Sequence, residues 1–148
     1  MNKKIDLKFI GIIFIATFFS YFLHEFGHWI VGELLGNNMI MQLNGAYPES
    51  GRYVNDWNTI LVFLGGPIIT ISQALLAFFL IKKYQKLFIY PFLFFPFIMR
   101  IFSLVAGNTN MDESVISSIL KIGTYTLPLT IIASLFYLIL RGSKLAFK

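Results

Sequence analysis

Four stretches of this chain, roughly residues 7–35, 57–81, 87–106 and 122–140, are apolar over about 20 residues each, the length a helix needs to cross the hydrocarbon core of a bilayer. Inside lipid, a spanning segment has to satisfy its own backbone hydrogen bonds, and a helix does so within itself. Composition agrees: 57% of residues are hydrophobic and 13% charged, against about 45–50% and about 25% in soluble domains. Seventeen Phe and seven Tyr suit lipid tails and headgroups better than a soluble core of this size. The expected fold is one all-α integral membrane domain over 1–148. It is a bundle of about four transmembrane helices, with a polar loop or short hairpin after the first. The first apolar run exceeds the ~7–15 residues of a secretory h-region, so it reads as a retained span.

The cations sort by connection. Lys3, Lys4 and Lys8 lie at the start of the first span, Lys82, Lys83 and Lys86 between the second and third, and Arg141, Lys144 and Lys148 after the fourth. The positive-inside rule then predicts a multi-pass protein of the cell membrane with both termini cytoplasmic. These charges flank spans, so they carry topology and imply no nucleic-acid partner. There is no cysteine, which excludes disulfides and thiolate metal sites. The connection from Gly36 to Asp56 is rich in turn formers around short apolar pieces such as Met39-Ile40-Met41. It reads first as an ordinary outer loop, with a hairpin dipping beside the site as the alternative.

Both histidines of the chain fall inside the first span as His24-Glu25-Phe26-Gly27-His28. On a helix, i and i+4 share a face with Cβ atoms about 5–6 Å apart, so both imidazoles can address one cation. Two buried histidines spaced by a hydrogen-bonded glutamate would be the bland reading. An acid in mid-span is costly, however, with roughly 2.5–3.5 kcal/mol measured for comparable charges. Three polar groups at one site are most simply explained by a metal. Zinc so held needs a third protein ligand. It lowers the pKa of its water from 15.7 towards about 7, and Glu25 is placed to accept that proton.

His24, Glu25, Gly27 and His28, followed by Gly32 and Gly36 at four-residue steps, resemble the HExGHxxxGxxxG signature of the site-2 protease family. The resemblance implies an intramembrane zinc metalloprotease. Its substrate would be a membrane protein or peptide, cut in or next to a transmembrane segment within the lipid bilayer. It also implies a second helix bearing GPxxN, and Gly66-Pro67 matches with Thr70 in place of the asparagine. Gly66, Pro67 and Thr70 are therefore the expected substrate-binding residues, with Gln73 one turn on as a possible source of the amide. The same glycines and proline also read as a kink with close packing. The family's third ligand is an aspartate in a proline- and glycine-rich stretch. Here the chain has Gly107-Asn108-Thr109-Asn110-Met111-Asp112-Glu113. Asp112 is the expected third ligand with His24 and His28, and Glu113 is its rival. Either acid can instead cap a helical segment beginning near Ser114.

Of the remaining polar groups, Glu33 is rotated off the metal face, and Glu49 and Asp56 read as solvated. Arg100 is the one cation within a span. It can snorkel outwards, pair with Asp112 or Glu113, or face a developing oxyanion. A different class of function also fits the departures at Thr70 and around Asp112: a non-proteolytic membrane protein on a protease-like scaffold, binding a partner transmembrane helix.

Overall fold

The structure is a computed structural model, described over residues 7–42, 45–107 and 111–146. Lys3, Lys4, Asn108, Thr109, Asn110 and Lys148, named above, lie outside the described residues. In order, the elements are α1 (Leu7–Leu34), β1 (Met39–Gln42), β2 (Gly45–Pro48), α2 (Asp56–Tyr84), a 3-10 turn (Leu87–Ile89) running into α3 (Tyr90–Val105), α4 (Asp112–Ile119) and α5 (Thr126–Ala146). Among the described residues, four helices are long and apolar enough to span a membrane: α1, α2, the 3-10 turn with α3, and α5. The all-α transmembrane bundle is as expected.

The ends of the spans differ from the apolar runs for local reasons. The second span runs on to Tyr84, with Lys82 and Lys83 in its last turn and a left-handed Gln85 stopping it. Cations there complement the negative end of the helix dipole. The fourth span starts at Thr126 rather than near Ile122. Gly123, at φ +93°, turns the chain first, in a conformation that glycine adopts without steric cost.

α1 and α2 are antiparallel and meet backbone to backbone. A Cβ added at Gly27 would collide with the Gly65 carbonyl, and one at Gly65 with the Gly27 carbonyl. Small residues at such crossings let membrane helices approach closely. Further along the same seam, Gln73 Nε2 donates to Ser20 Oγ (2.7 Å) and to the Phe92 carbonyl (3.0 Å), joining α1, α2 and α3. Ala74, Ala77, Ile81, Leu93, Leu135 and Ile139 from α2, α3 and α5 form a buried cluster at the end of the bundle away from the histidines. Large side chains such as Phe14, Phe18, Phe79 and Phe102 stay exposed, as expected of surfaces that face lipid tails.

The Gly36–Asp56 connection, expected first as an ordinary loop, contains an antiparallel hairpin in the register Met39↔Pro48 to Gln42↔Gly45. Glu33 ties it to α1 by accepting from the Met39 N–H at 2.6 Å. Glu49 N–H donates to the Asn38 carbonyl, so that facing pair is hydrogen-bonded and the bonded pairs alternate from there. Pro48 and Ala46 thus turn their backbone polar groups away from β1. Pro48, which has no N–H to offer, is tolerated on that edge.

Candidate metal centre

His24 and His28 lie ten and six residues before the end of α1, about 15 and 9 Å inside it at 1.5 Å per residue. Their Nε2 atoms are 3.2 Å apart. Asp112, at the start of α4, places Oδ2 at 2.8 Å from His24 Nε2 and 3.2 Å from His28 Nε2. The three donor atoms form a compact triangle although Asp112 is 84 residues from His28. Asp112 is the first residue of α4, but the N-cap is Met111 and no side chain caps the helix, so neither acid plays the capping role; both lie in its first turn, where negative charge suits the helix dipole.

The His28 ring is aimed from behind. His28 Nδ1 lies 2.7 Å from the Val62 carbonyl oxygen. A carbonyl only accepts, so Nδ1 carries the proton and Nε2 presents its lone pair to the triangle. A backbone carbonyl fixing the far nitrogen is the usual support of a metal-binding histidine. Gly66 forms the floor: a Cβ there would strike both imidazoles. His24 Nδ1 is buried and has no hydrogen-bond partner among the described residues.

This donor set could hold a metal ion, and its spacing is near that of zinc ligands. Tetrahedral zinc with nitrogen and oxygen ligands at about 2.0–2.2 Å has ligand–ligand edges of about 3.3–3.5 Å, and the edges here are 2.8–3.2 Å. Lone pairs of two nitrogens and an oxygen at that spacing repel unless a proton or a cation lies between them. Burial raises the Asp112 carboxyl, but hydrogen bonds and charge from His24 and His28 outweigh it and hold the group well below the usual carboxylate range. Such a carboxylate stays ionised and available as a ligand at neutral pH.

The triangle borders a cavity of about 150 Å³ lined by His24, Glu25, His28, Gly45, Ala46, Tyr53, Phe63 and Asp112. Glu25 is buried, at 8% exposure, and belongs to this lining. Tyr53, from the connection between β2 and α2, places its half-buried ring here, against Phe63. Burial, and then the Asp112 charge, raise its phenol above the ordinary value, so it stays protonated and can donate. Gly45 and Ala46 bring β2 to the same space; only a folded hairpin could have revealed them.

The remaining expected residues lie behind the site. Gly66 and Pro67 are buried in α2. Thr70, expected to offer its hydroxyl to a substrate, is fully buried. Its Oγ1 lies 3.2 Å from both the Gly66 and Pro67 carbonyls and accepts from Arg100 at 3.1 Å. Gln73 is engaged with Ser20 and Phe92. Glu113 is turned from the histidines and paired with Arg100 at 2.6 Å, so Arg100 does not snorkel. Comparison with known proteins finds no family model, no curated protein and no solved structure that matches this chain.

Proposed function

We propose that the chain is an intramembrane zinc metalloprotease, similar to site-2 proteases, that hydrolyses a peptide bond in or next to a transmembrane segment of another membrane protein. One observation carries the reading: His24, His28 and Asp112 converge beside a small cavity that also holds Glu25, within an apolar helix bundle. Those three residues would hold the zinc, which when bound supplies Lewis acidity and an activated water.

The protein's own groups supply the rest. Glu25 accepts a proton at the cavity wall and returns it to the leaving amine. Tyr53 lines the same space and supplies a neutral donor. A cavity of about 150 Å³ cannot take a helix about 10–12 Å across, so a substrate segment enters unwound. The outward N–H and C=O of Ala46 on β2 offer such a strand a partner. The basic flanks at Lys82, Lys83, Lys86, Arg141 and Lys144 favour a cytoplasmic location for that end of the bundle, which puts the site towards the outer face.

The test is to purify the protein, measure bound zinc, and follow cleavage of a panel of single-span reporters reconstituted with it. Glu25→Gln is expected to keep zinc and abolish cleavage. Equal cleavage by both proteins would exclude the mechanism. The burial of Thr70, where the family pattern has its asparagine, favours a second reading: a scaffold that binds a partner transmembrane helix without cutting it. Zinc retained with no reporter cut by the wild type would support that reading.

A further inference from the structure

Arg100 is 5% exposed and Glu113 4% exposed, a degree of burial at which a charge is costly unless fully partnered. Arg100 spends its fork on three elements. Nε donates to Glu113 Oε1 at 2.6 Å on α4, one amino group to Thr70 Oγ1 at 3.1 Å on α2, and the other to the Pro96 carbonyl at 2.9 Å on its own α3. The first two partners lie at the metal triangle's supports. Glu113 is the residue after Asp112, and Thr70 lies 3.2 Å from the carbonyl of Gly66, which floors both imidazoles.

We propose that Arg100 is a positioning residue of the metal centre: by gripping Glu113 and Thr70 together it locks α4 onto α2 and so fixes Asp112 against His24 and His28. The grip also decides between two adjacent acids, since Glu113 is withdrawn by the guanidinium and Asp112 alone is left to the histidines. A lysine could supply the charge but not the planar fork that reaches two helices at once. This inference rests on the metal reading above, and its test separates the two.

The probe is Co²⁺ alone, titrated into the full-length protein in detergent and followed by its visible absorption. Four proteins form a cycle: wild type, Asp112→Ala, the neutralised pair Arg100→Gln with Glu113→Gln, and all three changes together. The paired change leaves no lone buried charge. Asp112→Ala is expected to weaken Co²⁺ binding at least about tenfold in the wild type and less than about threefold in the neutralised background, the signature of coupled residues. Equal factors in both backgrounds would overturn the proposal. Should the neutralised pair fail to fold, Arg100→Lys replaces it. With helicity unchanged, that variant is expected to bind Co²⁺ about 10–100-fold more weakly, as for loss of other outer-shell supports, and unchanged affinity would overturn the proposal. A wild type that binds no Co²⁺ defeats the metal reading and this inference with it. Binding with additive effects defeats this inference alone.

Discussion

His28 Nδ1 donates to the carbonyl of Val62 at 2.7 Å, and that bond makes the direction of the ring's other nitrogen depend on how α1 sits against α2. The two helices can come this close because Gly27 and Gly65 leave nothing between their backbones. The small residues of the histidine motif and of the second span therefore act as one device, setting the helix separation and, through it, the triangle of His24, His28 and Asp112 donor atoms.

Adjacent glycines of α2 are expected to fail differently. In Gly65→Ala the new methyl meets the Gly27 carbonyl, and backbone cannot yield without parting the helices. The cost is that of overpacking, about 1–3 kcal/mol, read as a lower thermal midpoint in detergent. In Gly66→Ala the methyl meets the two imidazoles instead, which can rotate away. That variant is expected to keep its helicity and lose zinc. Zinc retained at wild-type stoichiometry in Gly66→Ala would show that the rings are not packed on this floor.

Asp112→Asn keeps the shape of the side chain and removes its charge. With two imidazoles left of three ligands, zinc affinity is expected to fall by more than the ~10–100-fold typical of outer-shell losses, measured by competition with a chelating dye. Glu113→Gln removes a carboxylate one residue away that points to Arg100 rather than the histidines. It should cost less affinity than Asp112→Asn. The reverse order would make Glu113 the ligand.

Much of the centre was legible in sequence, and what was hidden follows a pattern. His24, Glu25 and His28 are local: helical spacing alone puts the two imidazoles on one face. Asp112 was legible only as one of two neighbouring acids. The choice between them is made by Arg100, thirteen residues before Glu113 on another helix, and no spacing rule reaches across that fold. Thr70 shows the same limit, since its hydroxyl serves Arg100 instead of the cavity. The hairpin was legible only as the alternative to an ordinary loop, for another reason. Strands of four residues have little propensity of their own, and these are anchored by the Glu33 carboxylate on the preceding helix.

Acid is expected to strip the metal through the imidazoles and not through the aspartate. Zinc requires both rings unprotonated, and imidazole is the side chain that takes up a proton as pH falls through and below neutrality. The Asp112 pKa lies below its usual range, so its carboxylate remains ionised throughout that window. A depressed carboxyl contributes stability above its unfolded value near 3.9 and loses it as pH falls through the folded value. Affinity should thus weaken as the solution is acidified, by up to about a hundredfold per unit where two protons compete. A pH series of zinc titrations checks this. Affinity flat down to pH 4 would mean that the histidines are not ligands.

Ala46→Pro separates substrate pairing from metal binding. The Ala46 N–H points away from β1 in the observed register, and Ala46 is part of the cavity lining. Proline removes that donor without breaking a bond of the hairpin ladder, and an edge position of this kind tolerates it. Zinc content and thermal midpoint are expected to stay at wild-type values while reporter cleavage falls, chiefly through KM, by about tenfold for one lost hydrogen bond. A variant with unchanged KM would place the substrate strand elsewhere, against α2 or Tyr53. One that loses zinc would show that β2 supports the metal triangle itself.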